Sequence, residues 1–175
     1  MKQLYLLRHA KSSWDDPTLA DHDRPLAPRG RRAAKLMAKH LARERIAPEL
    51  VLCSPSRRTR QTLDRLAPVL GKSADVHIEP ELYGAPARDL IEVLHEVSDE
   101  VESVMLIGHN PGIQDLALSL ARAGSEIPRL RSKFPTAALA TLEVNGTWRE
   151  LAREGARLVS FVKPKELSRG AAAGV

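Results

Sequence analysis

Three short stretches of this chain carry side chains suited to handling a phosphoryl group: Arg8-His9, Ser54-Pro55 with Arg58 three residues on, and Gly108-His109-Asn110. Histidine offers a nitrogen that is nucleophilic at neutral pH, and arginine a planar fork of donors that matches phosphate oxygens. Each stretch closes an apolar run. Leu4-Tyr5-Leu6-Leu7 precedes the first, Leu50-Val51-Leu52-Cys53 the second, and a run ending at Ile107 the third. Apolar runs of this length read as buried strands. Parallel strands put their carboxyl ends on one edge of the sheet, so the three polar stretches become neighbours in space. Two imidazoles and two or more guanidinium groups beside helix N-termini form a site for a compact dianion, and phosphate is the natural ligand.

The elements that must position these residues alternate along the chain. After the first strand, 11–28 is a polar, proline-punctuated loop, long enough to suggest a role. Over 29–45, Ala33, Leu36, Met37, His40 and Leu41 recur at helical spacing, which predicts an amphipathic helix stopped by Pro48. Strand 50–53 runs into Ser54-Pro55, read as an N-cap with proline in the first helical position, opening a helix that reaches Leu70 and closes at Gly71. A short strand at 76–78, a helix over 86–97, a strand over 101–107 and a helix bearing Ile113, Leu116, Ala117 and Leu120 follow. Two last strands, 137–144 and 157–162, meet around Asn145-Gly146 as an antiparallel pair. The pattern predicts a three-layer α/β/α fold with a mainly parallel central sheet and an antiparallel edge. Residues 1–162 are expected to form a single domain and 163–175 a flexible C-terminal tail.

With 175 residues and 43% hydrophobic content, the chain can bury a core of its own. Its one cysteine, Cys53, reads as an inert core thiol, and with no leader-like segment before the first strand a cytoplasmic location is expected. No apolar run approaches a membrane span, so no membrane partner is expected. The net charge of +5 suits phosphorylated ligands. Aromatics make up only 3% of the chain, few for stacking bases, and no reader motif is present, so nucleic acid is not expected as a partner. The six histidines lack the short spacings of a zinc site, and neither a metal nor a cofactor is expected. His22, His40, His77 and His95 follow no motif and read as surface or packing residues.

The stretch Leu6-Leu7-Arg8-His9-Ala10-Lys11-Ser12-Ser13-Trp14, then Ser54-Pro55 with Arg58 and Gln61-Thr62, then Gly108-His109-Asn110-Pro111-Gly112, resembles the histidine phosphatase (phosphoglycerate mutase-like) superfamily. The likeness is greatest to its small SixA-like phosphohistidine phosphatase branch, where Arg-His-Ala often replaces Arg-His-Gly. The resemblance implies that His9 is the nucleophile, that Arg8 and Arg58 clamp the phosphoryl oxygens, and that His109 donates to another oxygen. Glu81, in Glu-Leu-Tyr-Gly after the third strand, matches the position of the family's proton donor; Asp15 is its rival, and solvent the third source. Lys11, Ser12 and Asn110 are candidates for lining the phosphate pocket. Asp15 stands where mutase-type relatives carry asparagine, which weighs against a mutase. Ala27 stands where relatives place serine or threonine, which should weaken a helix cap.

Relatives acting on small sugar phosphates resemble one another in a large insertion between the third and fourth strands that roofs the site. Here that connection has room for one helix and short turns, so a shallow, open pocket is expected. The resemblance therefore implies dephosphorylation of phosphohistidine on a protein partner, for example a phosphotransfer domain. A phosphatase of small phosphorylated metabolites is the alternative among enzymes, and an inactive phosphate-binding module the alternative outside them.

Overall fold

The computed structural model describes residues 1–173, with side chains through residue 168. A seven-stranded sheet lies at its centre: β1 (Lys2–Arg8), β2 (Leu50–Cys53), β3 (Asp75–Ile78), β4 (Ser103–Gly108), β5 (Ala121–Ala123), β6 (Leu139–Val144) and β7 (Ala156–Val162), in the spatial order β3-β2-β4-β1-β6-β7-β5. The first four strands of that order are mutually parallel, and β6 runs against both of its neighbours. The expected β6–β7 pair is present. It does not end the sheet, because the three-residue β5, unforeseen in the sequence, pairs parallel to β7 on its outer side.

Strand alternation divides the core into two layers. Leu4 and Leu6 of β1, Leu50 and Leu52 of β2, and Val104 and Leu106 of β4 face one way, toward α3 (Ala87–His95), α4 (Gly112–Leu120) and α5 (Ile127–Ser132). Leu7, Val51, Cys53, Met105 and Ile107 face the other way, toward α1 (Pro28–Arg43) and α2 (Arg57–Leu70). Helices thus cover both faces, as near-continuous apolar strands require. Full burial of each such side chain contributes about 1.5–3 kcal/mol. Trp148 fills the first layer and donates its indole N–H to the carbonyl of Val101 at 2.7 Å.

One helix begins differently from expectation. In α2 the N-cap is Ser56, whose hydroxyl accepts from the Thr59 amide, and not Ser54. Ser54 is held in line with the strand by its amide donating to Ile107 O at 3.1 Å, which leaves its hydroxyl for other use. Gly71 ends α2 with φ 92°, a conformation glycine adopts without strain. Helix α1 starts on Ala27, which makes no side-chain cap bond, with Pro28 in the first turn. Where no element was expected after β7, Pro164–Ala173 forms α6, and Leu167 packs against the α1–α2 layer. Among the described residues no helix is long and apolar enough to cross a membrane.

Helix α1 presses its first turn onto the loop that follows β1. A Cβ on Gly30 would lie 2.1 Å from the carbonyl oxygen of Lys11, which already accepts from the amide of Ala27 at 2.8 Å. In an exposed helix Gly→Ala stabilises by about 0.5–1 kcal/mol. Here Gly30→Ala is expected to destabilise by about 1–3 kcal/mol through overpacking. Urea denaturation checks this, and an unchanged or raised midpoint would show that the loop gives way freely.

Candidate active site

Register brings the three polar stretches together. Arg8 pairs with Gly108 across β1 and β4, and Cys53 with Ile107 across β2 and β4. His9, Ser54 and His109 therefore leave the sheet side by side, and His9 N donates to Gly108 O at 3.0 Å. Arg58 is the second residue of α2, so that helix opens over the same edge. Thr62, one turn on, ties helix to strand: its hydroxyl accepts from the Ala10 amide at 3.0 Å and donates to Arg58 O at 2.8 Å. On the far side, the amide of Ala137 donates to the carbonyls of both Arg8 and His9, with Ala137 in the left-handed region at φ 61°.

The side chains converge on Arg58. Its Nε donates to His9 Nε2 at 3.4 Å, and its Nη2 lies 3.3 Å from His109 Nδ1. The two imidazole rings are 5.2 Å apart, centre to centre. His9 Nδ1 faces the carbonyl of Ala10 at 2.8 Å, so Nδ1 carries the proton and Nε2 presents its lone pair. His109 Nε2 lies 2.7 Å from Ser54 Oγ, the hydroxyl released from capping. Serine can donate or accept, so it supports either tautomer of His109. Arg8 donates through Nη1 to Phe134 O at 2.9 Å, while its buried Nε has no partner.

Burial sets the charge of this group. His9 is 8% exposed, Arg58 7% and His109 7%. The His9 ring is held down to about 3, chiefly by burial; the Ala10 carbonyl opposes the shift, and His109, Arg58 and Arg8 add to it. His109 is lowered to about 4 by burial first and Arg58 next, with Asp21 opposing. Both rings are neutral at pH 7, beside two permanent cations.

One carboxylate reaches the cluster, and it comes from the long loop. Asp21, at the start of a 3-10 turn, accepts from Arg58 Nη2 at 3.0 Å through Oδ2, while its carbonyl accepts from Arg58 Nη1 at 2.7 Å. Tyr83 donates its hydroxyl to the same Oδ2 at 2.5 Å. That bond first, opposed by burial and then helped by Arg58 and Arg24, holds the Asp21 carboxyl down to about 2. Arg24, buried beneath the loop, donates to Asp21 Oδ1 at 3.0 Å, to Ser13 O at 3.1 Å and to the Ser12 hydroxyl. The exposed ring of Trp14 covers the Arg24 guanidinium at 3.2 Å. Tyr83 also sets its ring edge-on to His109 at 5.4 Å and to His22 at 5.0 Å. Loop and turn thus meet beside the imidazoles, with Tyr83 bonded to Asp21 and set against His109.

A neutral imidazole lone pair aimed among guanidinium donors is the arrangement phosphoryl transfer through histidine requires. Residues 4–85 match the model of the histidine phosphatase superfamily (branch 1). The phosphohistidine phosphatase SixA of Escherichia coli is 30% identical over 152 residues, covering 83% of this chain and 90% of that protein. This chain belongs to the histidine phosphatase superfamily. An uncharacterized protein of Mycobacterium leprae is 39% identical over 165 residues, covering 91% of this chain and 100% of its relative. A solved structure from Nakamurella multipartitia, provisionally assigned as the phosphohistidine phosphatase SixA, superposes with a TM-score of 0.82 at 32% identity, covering 93% of this chain and 96% of that one.

Within this superfamily site, the structure gathers Arg8, His9, Arg58 and His109 as their spacing suggests. It does not bring Glu81 to them. Glu81 is exposed in the 3-10 turn Pro80–Leu82, makes no bond to the cluster, and lines a separate groove with Glu79, Asp89 and Glu92. The turn points Leu82 into the core and Tyr83 toward the imidazoles, which sends Glu81 the other way. Asp15 is exposed on the loop, and its recorded bond is a backbone amide to Ser13 Oγ. Ser12 is buried and engaged by Arg24; Asn110 binds Phe134 O at 3.2 Å and Gln114. Lys11 is exposed in a neighbouring basic cavity that Arg8 also lines. Asp21, Tyr83, Arg24 and the role of the Ser54 hydroxyl escape the sequence reading. The loop offers four aspartates, and nothing in their spacing singles out the one that meets Arg58.

The two rings should stay neutral well below the usual histidine range. Below pH 6.5 the unfolded chain takes up protons at these positions that the folded chain refuses. Stability is therefore lost as pH falls from 6.5 toward about 4 for His109 and about 3 for His9. NMR titration of ring carbons is expected to leave both signals at their neutral shifts from pH 7.5 to 5. Imidazolium shifts at either position by pH 6 would show that the site is wetter or less positive than described.

Proposed function

We propose that this chain is a metal-independent phosphatase that acts through a phosphohistidine intermediate on His9 and removes phosphate from phosphohistidine on a protein partner. The observation that carries the reading is the state of Asp21. The carboxylate that reaches the site is ionised and clamped to Arg58 and Tyr83, so it has no proton to give. A phosphate ester expels an alkoxide and needs a positioned acid, whereas the imidazole leaving a phosphohistidine takes its proton from water.

The steps follow from the bonds described. His9 Nε2 attacks phosphorus, the substrate's phosphorus–nitrogen bond breaks, and the departing imidazole nitrogen is protonated by water. The ring of His9 becomes cationic as it is phosphorylated, and the Nδ1–H bond to the Ala10 carbonyl stabilises that charge. Arg58 and Arg8 hold the phosphoryl oxygens. His109 donates to another from Nδ1 when Ser54 turns its hydroxyl to donate to Nε2. Water then attacks the phosphorus on His9 and releases inorganic phosphate. Asp21 keeps the guanidinium of Arg58 in place throughout.

With His9 only 8% exposed, the group that reaches its ring has to be small, such as a phosphoryl group, and the body of the substrate stays outside. That suits a phosphorylated side chain presented by a protein surface.

Rapid-quench trapping with labelled substrate is expected to yield a phosphoenzyme in the wild type and none in His9→Ala, with hydrolysis surviving chelator and blocked by vanadate. A panel at equal concentration should favour a phosphohistidine protein over phosphoserine peptides and sugar phosphates. A preference of more than about tenfold for sugar phosphates would overturn the substrate assignment, since roughly 1.4 kcal/mol of discrimination would then point the other way.

Removing the charge that anchors Arg58 should matter more than removing Glu81. Loss of a charged hydrogen bond costs about 1.5–3 kcal/mol, so Asp21→Asn should lower kcat/KM roughly 10- to 100-fold. Glu81→Gln is expected to change kcat/KM by less than about twofold, as for a surface substitution far from the chemistry. A collapse of activity in Glu81→Gln with Asp21→Asn near wild type would reassign the carboxylates.

A further inference from the structure

Beside the nucleophile lies a second feature that the chemistry does not use. A cavity of about 570 Å³ opens between the first turn of α1, residues 133–136 and the start of α6. Its lining includes Arg8, Lys11, Arg29, Lys133, Lys163 and Lys165, and no carboxylate. Among the described residues none of these six makes an ion pair with an acidic side chain. Other arginines are matched, Arg129 by Glu126 and Glu166 and Arg157 by Glu143. The groove lined by Glu79, Glu81, Glu92 and Glu96 is as strongly acidic. Charge is therefore segregated, and six unmatched cations in one concavity repel one another until an anion enters.

Resting on the reading that a phosphohistidine protein is the substrate, we infer that this basic cavity docks an acidic segment of that protein, flanking the phosphorylated histidine. Arg8 joins the two places, since it lines the cavity and immediately precedes His9. His9 is only 8% exposed, so selectivity for the rest of the substrate has to come from the surface around it. The composition of the cavity says which anion it fits. A second phosphate site would repeat the forked arginines of the first, but four of these six cations are lysines, compact point charges on long stems. Spread over three segments of chain, they suit several separated carboxylates better than one dianion.

The test uses two phosphohistidine peptides of equal length, one flanked by aspartate and glutamate and one by serine and glycine. At low salt the acidic peptide is expected to show a KM lower by about tenfold at similar kcat, an advantage that shrinks as salt screens exposed charges. In the triple variant Lys133→Glu, Lys163→Glu, Lys165→Glu, the advantage should vanish while kcat/KM for the neutral peptide stays within about twofold, because steering by rim charge is lost and the chemistry is not. Equal KM values for both peptides, or an advantage that survives in the variant, overturns the inference. Fluorescence anisotropy with the unphosphorylated acidic peptide reads docking without turnover. Binding that the triple variant loses supports the cavity even if neither peptide is hydrolysed, an outcome that would sink the substrate assignment alone. Competition by inorganic tripolyphosphate or by a single-stranded oligonucleotide, with none by the acidic peptide, would show another occupant and also overturn it.

Discussion

A guanidinium wedged between two imidazoles is tolerable only while both rings are uncharged, and the rest of this site follows from keeping them so. Arg58 meets His9 through Nε and His109 through Nη2. Protonating either ring would set two cations against each other at hydrogen-bond distance with little water to screen them. Burial keeps the rings neutral, and Asp21 satisfies the remaining edge of Arg58. The same burial that prevents charging leaves His9 Nε2 unprotonated, its lone pair accepting the long bond from Arg58 Nε. Reactivity and structural tolerance have one cause.

That arrangement depends in turn on strand register. A one-residue slip between β1 and β4 would reverse the alternation of Leu4 and Leu6 against Leu7, moving apolar side chains from one helical layer to the other. The register that buries the core correctly is the register that aligns Arg8 with Gly108. Placement of the two histidines is thus secured by the whole sheet and needs no special local device. Ser54 shows the same economy of means: its backbone extends the strand alignment, Ser56 takes over the helix cap, and the spare hydroxyl orients His109.

This also explains which features could be read from residues alone. Apolar runs that end in Arg-His or Gly-His carry their own period and their own punctuation, so the parallel half of the sheet and the four central side chains were legible. Glu81 and Asp21 were not. Which way a short turn sends a carboxylate depends on whether Leu82 or Tyr83 finds the core, and that is decided by the packing of α3 and α4. Asp21 is selected from four loop aspartates by Arg24, a residue that looks like surface charge in the sequence and is buried in the structure. The serine that caps α2 was misread for a related reason, since Ser54 and Ser56 both satisfy the cap preference and only the length of β2 chooses between them. β5 and α6 gave no signal because a three-residue strand has no period to read, and α6 offers one large apolar residue, Leu167, and so no stripe.

In the reaction proposed for His9, a phosphoryl dianion at this site would change the balance that Arg58 and the two imidazoles keep. Its negative charge offsets Arg8 and Arg58, which removes the electrostatic part of the penalty on a cationic ring, while the burial part remains. In the proposed reaction phosphorylated His9 would be such a ring, forming at the moment its counter-charge is covalently attached beside the two arginines. His109 would gain from the same shift, because a phosphoryl oxygen in place of Arg58 as the neighbour of its Nδ1 would favour the tautomer in which Ser54 donates to Nε2. Fixed cations, neutral imidazoles and a hydroxyl able to bond in either sense thus let charge and proton rearrange locally, with no rearrangement of the backbone that holds them.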